Sequence, residues 1–180
     1  MKRKSSPLDL NGTGCCASFN FRRTARAVTS LYDTALEETG IRSTQFAILV
    51  GIAKNQPVSM GALADVLVID STTLTRSLRL LEKEGLVAIS NRAAMRQRFL
   101  TITAKGKRTL ARSLPAWRAA HARFVAAIGS AYWMELRSEL ERLAHVAVDL
   151  EKPVKDTPAL ALPFTRNTAG TNIIPSLPSL

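Results

Sequence analysis

Cysteine is nearly missing from this chain. Of 180 residues only Cys15 and Cys16 carry a thiol, and they are neighbours. That excludes a disulfide framework and a four-cysteine zinc site. Histidine is equally scarce, and His121 and His145 lie too far apart to form a metal-ligand spacing, so no metal and no cofactor are expected. Long apolar runs are missing too. The densest, Phe46–Ala53, is eight residues and contains a glycine, whereas a membrane span needs about 18. The basic start MKRKSS is followed by PLDLNGTG and not by an apolar stretch. No secretory signal is therefore expected, and the chain is placed in the cytoplasm with no membrane partner. No Ser/His/Asp or Cys/His arrangement is legible, nor a Gly-rich phosphate loop or paired carboxylates, so an enzyme is not expected.

Acidic side chains are also in short supply, and this shortage carries information. Lys and Arg number 25 against 14 Asp and Glu, a net charge of +11. The excess is concentrated: residues 41–110 hold 11 basic and 4 acidic side chains. Within them, residues 85–108 carry Arg92, Arg96, Arg98, Lys105, Lys107 and Arg108 and no acid. A local field of that sign attracts a polyanion. An anionic membrane surface would want those cations on one amphipathic helix, whereas here they fall on an expected hairpin.

Periodicity supplies the elements. Residues 1–17 show no sustained period and read as a flexible arm. A helix over 18–38 follows, with Phe21, Ala25, Val28, Tyr32 and Ala35 in one stripe. Gly40 stops it. Ser43 is expected to cap a second helix over 44–54, apolar nearly all round, which Pro57 prevents from continuing. Ser59 caps a short third helix bearing Met60, Leu63, Ala64 and Leu67. A three-residue joint, Val68-Ile69-Asp70, leads to a fourth helix over 71–84, capped by Asp70 or Ser71 and ended by Gly85. LVAIS and RFLTI read as two antiparallel strands around the arginine-bearing loop NRAAMRQ. Thr103 caps a long helix in which Pro115 is expected to produce a kink or weak point. A last helix runs from Ser130 to about 150, with Trp133, Leu136, Leu140, Leu143, Ala147 and Leu150 on a heptad seam suited to another helix. Residues 153–180 hold five of the eight prolines and read as a disordered tail.

The fold class is therefore mainly α with a small β-hairpin wing, in the order α-α-α-α-β-β-α-α. Two short helices joined by a tight turn and followed by a hairpin form a winged helix-turn-helix. On a helical wheel of residues 71–84, Leu74, Leu78 and Leu81 gather on one side and Thr72, Thr75, Arg76 and Arg79 on the other. Arginine donates two bonds to guanine, and threonine bonds a base edge or touches a thymine methyl. Hydroxyls and the free N–H groups of the helix start hold phosphates. An ordinary exposed Thr/Arg face is the alternative, but the adjoining turn and basic hairpin point the same way as the reading face.

The stretch STQFAILVGIAKNQPVSMGALADVLVIDSTTLTRSLRLLEKEGLVAISNRAAMRQRFLTITAKGKRTL, residues 43–110, resembles the MarR family of bacterial transcriptional regulators. RRTARAVTSLYDTAL before it resembles that family's first helix, so residues 20–150 fit the layout. The resemblance implies a homodimer built from the first, fifth and sixth helices, within a domain over 18–152. Residues 18–40 and 104–152 would form its dimerisation base and 41–103 the winged part. Each subunit would present helix 71–84 to the major groove of palindromic double-stranded DNA and wing 90–98 to the minor groove. By the family motif Ser71, Thr72, Thr73, Thr75 and Arg76 fall on the recognition helix and Arg96 on the wing arginine. The family's wing usually reads Asp-x-Arg; here the triplet is Ala94-Met95-Arg96. Without the acid, Arg92 and Arg98 are expected to share the work of Arg96.

The family resemblance also implies a repressor released by a small apolar or aromatic anion, or by thiol oxidation. Cys15 and Cys16 precede the first helix, with Arg22 and Arg23 shortly after. A helix start and nearby cations make a thiol reactive, while inert residues in an arm are the alternative. Tyr32, Trp117 and His121 fall on apolar stripes and are expected in the core, with a ligand pocket as the alternative. A nucleoid-type protein using phosphate contacts alone is the competing function. The Thr/Arg face argues against it, and against a winged helix that binds protein through apolar anchors.

Overall fold

A computed structural model describes residues 13–92 and 97–151. Its helices are α1 (Ala17–Leu36), α2 (Ser43–Asn55), α3 (Met60–Leu67), α4 (Ser71–Lys83), α5 (Ala104–Ile128) and α6 (Ser130–Glu151). The strands are β1 (Val58–Ser59), β2 (Val87–Arg92) and β3 (Gln97–Ile102), with short 3-10 turns at Thr13–Cys15 and Glu37–Thr39. The expected order of helices and hairpin is present. The described residues up to Glu139 form one compact unit and those from Leu140 another. The part of the second that is described is the end of α6, residues 140–151, whose Leu140, Leu143, Val146 and Leu150 are exposed. Among the described residues no helix is long and apolar enough to cross a membrane. The expected tail and most of the expected arm lie outside them.

Local chemistry sets the element ends. Ser59 Oγ accepts from the Ala62 N–H at 3.2 Å, Asp70 Oδ1 from Thr73 at 2.9 Å and Thr103 Oγ1 from Gly106 at 3.0 Å. Each satisfies a donor that the helix itself leaves unpaired. Gly40 and Gly85 adopt left-handed φ of 78° and 70° at helix ends, where a side chain would be strained.

The start of α2 differs from expectation. Ser43 is its first helical residue, not its cap. Its N–H donates to Asp33 Oδ1 of α1 at 2.7 Å, and the Arg42 N–H donates to Gln45 Oε1 at 2.8 Å. A carboxylate is a stronger acceptor than a hydroxyl and also complements the helix dipole, so the distant residue takes the site. At Pro115, where a kink or weak point is expected, α5 runs on as one helix from 104 to 128.

The core fills the space between α2, α3, α4 and the sheet. Ile48, Leu49, Ile52, Leu63, Leu74, Leu78, Leu81 and Leu100 are almost completely buried. Burial of each such side chain is worth roughly 1.5–3 kcal/mol. The sheet has the order β1-β3-β2, antiparallel throughout. β1 is an addition to the expected hairpin: two residues carry no period, and it exists only because Val58 and Ser59 pair with Leu100 and Phe99. The hairpin register sets Val87 opposite Ile102 and Ile89 opposite Leu100, apolar side inward.

Two close approaches lock elements together. A Cβ on Gly106 would lie 2.1 Å from the Leu86 carbonyl oxygen, so the start of α5 sits directly on the chain entering β2. A Cβ on Gly51 would lie 2.9 Å from Leu63 Cδ1, which brings α2 tight against α3.

The joint between α3 and α4 is unusual. Val68 has φ 49° and ψ 51°, a left-handed conformation that costs a β-branched residue about 1–2 kcal/mol. Its N–H bonds the Asp65 carbonyl at 3.2 Å and the Ile69 N–H bonds Ala64 at 3.0 Å. This is a helix-ending pattern whose left-handed place glycine usually fills.

Candidate nucleic-acid interface

α4 is anchored by Leu74, Leu78 and Leu81, which are at most 1% exposed. The opposite side therefore faces out: Ser71, Thr72, Thr73, Arg76 and Arg79 are exposed. Thr75 is half-buried; its hydroxyl donates to the Ser71 carbonyl at 2.6 Å and lies 3.9 Å from Met60 Sδ. Its hydroxyl is thus already engaged within the helix. The Asp70 carboxyl is held below its usual range by hydrogen bonds from the Thr73 hydroxyl and N–H. A charged cap is thus retained at the start of α4.

Arg98 on β3 is exposed and shares an open cleft of about 320 Å³ with Thr75, Arg79 and Glu82. The hairpin thus carries one of its cations to the edge of the α4 face. Arg92 ends β2, directly opposite Gln97. Its side chain, and the wing residues 93–96 with Arg96, lie outside what is described.

Behind this surface is a second, mostly apolar cleft of about 570 Å³. α1 contributes Val28 and Tyr32, α2 contributes Phe46, Val50 and Lys54, α3 contributes Val66 and Leu67, and α5 contributes Trp117. Lys54 is the only charged group among its lining residues. Tyr32 and Trp117 are half-buried cleft walls and not sealed core. Trp117 stacks on Phe46 at 5.7 Å and on His121 at 5.1 Å, and the Trp133 ring meets His121 edge-on at 5.7 Å. The His121 Nδ1 lies 3.0 Å from the Tyr32 hydroxyl. Burial raises the Tyr32 pKa above its ordinary value. The helical stripes located these aromatics, but a stripe does not distinguish a sealed face from a wall. The contribution of α3 left no trace in the sequence beyond two apolar residues.

Just before α1, Cys15 and Cys16 are both exposed. Cys16 stands immediately before α1, and Asn20 Nδ2 donates to the Gly14 and Cys16 carbonyls at 3.2 and 3.0 Å. Burial works to raise the Asp33 pKa. Hydrogen bonds from Ser43 and Arg42 and the Arg42 charge, 3.4 Å away, outweigh it and hold the carboxyl below its usual range.

The family model of the MarR family matches residues 41–92. No curated protein sequence matches the chain. Among solved structures it is similar to the M. tuberculosis transcriptional regulator MosR in complex with DNA, at 33% identity and a TM-score of 0.69 over 76% of this chain and 98% of that one. It is similar also to CouR from Rhodococcus jostii RHA1 bound to p-coumaroyl-CoA, at 22% identity and 0.63, covering 74% and 95%. A third likeness is to S. aureus MepR in a DNA complex, at 17% identity and 0.63, covering 73% and 98%. At those lower identities the last two bear on the fold alone.

Proposed function

Since the chain belongs to the MarR family of DNA-binding transcriptional regulators, we propose that it acts as a homodimeric repressor whose α4 reads a palindromic duplex. The observation that carries this reading is the outward face of α4, where Ser71, Thr72, Thr73, Arg76 and Arg79 are exposed above three buried leucines. Arg76 and Arg79 donate to guanine edges, Thr75 offers its methyl to thymine, and the hydroxyls at the helix start hold phosphate. Arg98, with Arg92 and Arg96, supplies the hairpin's cations to the backbone or the minor groove. The exposed Phe19, Phe21, Tyr132 and Met134 on α1 and α6 support pairing of two copies through the helical base.

Selecting bound sequences from a random DNA pool tests this. The expected outcome is a palindrome with half-sites about one helical turn apart. Binding without enrichment assigns the chain to the nucleoid-type alternative, with phosphate contacts and salt dependence only.

Release is proposed to occur through the cleft, with a small aromatic anion bound between Tyr32, Trp117, Phe46 and Val66 and its charge at Lys54. A thiol route is proposed alongside, because Cys15 and Cys16 are exposed next to a helix start. Replacing both with serine abolishes peroxide-induced release of DNA if they sense oxidation; unchanged release removes them from the mechanism.

A further inference from the structure

Val68 is the only non-glycine residue with positive φ among the described residues. It stands in the short joint between α3 and the reading helix, and its side chain is 60% exposed. Neither packing nor a buried side-chain bond compensates for its conformation. The residues just before it, Val66 and Leu67, form the α3 wall of the apolar cleft. The opposite walls, on α1 and α5, belong to the long helices of the base. α2 is held against α3 by the Gly51–Leu63 approach, so α3 has no slack toward α2.

Of the cheaper regions open to a valine at that position, extended and right-handed, the right-handed one would continue α3. If Val68 took it, α3 would lengthen by a residue and α4 would leave in a new direction, because one residue's φ and ψ set the angle between the two axes. The local preference for that alternative is roughly 5- to 30-fold. The packing of Leu74, Leu78 and Leu81 holds it off. We propose that Val68 is a sprung joint. It keeps α4 in the DNA-reading setting against its own backbone preference, and an occupant of the cleft pressing on Val66 and Leu67 releases it. This rests on the reading of the cleft as the effector site and adds the element that carries the signal. Two discrete backbone states biased from one side are what such coupling requires.

The test uses the full chain and a pocket-filling substitution as the occupant. Ala47 is exposed in the cleft wall, and Ala47→Trp fills it, with Ala47→Phe as the milder filler should melting reveal misfolding. Binding to a selected duplex is measured by fluorescence polarisation for the wild type, Ala47→Trp, Val68→Gly and the double variant. Glycine removes the left-handed penalty, so the joint no longer springs. The expected result is a loss of about tenfold from filling the cleft of the wild type, and of less than about threefold from filling it in the Val68→Gly variant. Equal losses in the two backgrounds overturn the joint. No loss in either overturns the joint and the effector reading of the cleft together. A wild-type chain that binds no duplex at all is a different failure, that of the DNA-binding reading. A second measurement stands apart from the cleft: Val68→Gly melts higher than Val68→Ala, because only glycine escapes the left-handed penalty and that gain exceeds its extra freedom in the unfolded chain. A glycine variant that melts lower than the alanine variant overturns the proposal.

Discussion

The winged part and the helical base differ in how much they complete by themselves. Between α2 and β3, each helix lays an apolar side on a neighbour, and Leu63, Leu74, Leu78, Leu81 and Leu100 are buried to 1% exposure or less. In the base, α1 is 20 residues long and buries only Leu36, α5 buries Gly106, Ser113 and Ala120, and α6 buries none. Yet both regions carry regular apolar stripes. A stripe therefore reports that a surface is to be covered, without saying whether the same copy of the chain covers it. On the proposed function, the reading surface belongs to the self-sufficient part and the second copy to the incomplete one.

The largest effect that sharpens this contrast is a cavity in the closed part. Leu78→Ala is expected to cost about 2–5 kcal/mol in chemical denaturation, with the same loss at every protein concentration. A loss that grows on dilution would erase the distinction between the two regions. Next comes the outward face of that part. Arg76→Ala is expected to cost about 1–3 kcal/mol on a selected site and less on random DNA, with the fold unchanged by circular dichroism. Equal losses on both would deny base reading. In the base, Leu143→Glu is expected to raise the concentration at which copies separate by about tenfold, near 1.4 kcal/mol. Sedimentation measures this, and an unaltered mass distribution would leave that face without a partner.

The smallest effect is with acid. Asp33 and Asp70 both have pKa values below the usual carboxylate range. Their stabilisation is present above about pH 4 and is lost as the pH falls from there through their folded values. Asp70→Asn should flatten the acid limb of the stability profile slightly, and more so for α4 than for the base. An unchanged limb would mean that the cap contributes nothing.

Much of this organisation is legible from residues in order. The leucines of α4, the caps Ser59, Asp70 and Thr103, and the stop at Gly85 all act within a few positions of themselves, and local chemistry is what a sequence displays. What was not legible acts across the chain. Asp33 caps a helix that begins ten residues later, and β1 exists only through β3. The cleft gathers its walls from four helices. Val68 is a different case. The joint is visible as three residues without a glycine, but only the backbone angles reveal that one of them is strained, and which. The exposed Thr/Arg side of α4 was visible as chemistry, while the spent hydroxyl of Thr75 required the Ser71 carbonyl to be located first.

Gly106 has a consequence for the geometry of the pair. With no side chain between it and the Leu86 carbonyl, the longest helix and the root of the hairpin bear on each other as two machined faces do. Gln56 Oε1, which accepts from the Ile102 N–H at 3.1 Å, pins the other side of that root. Torque applied to α5 has no gap in which to dissipate before the hairpin feels it. On the proposed assembly, the distance between the two reading heads is then a dimension of the frame and not of the heads, and a variant that loosens this seat should tolerate operators of more than one spacing.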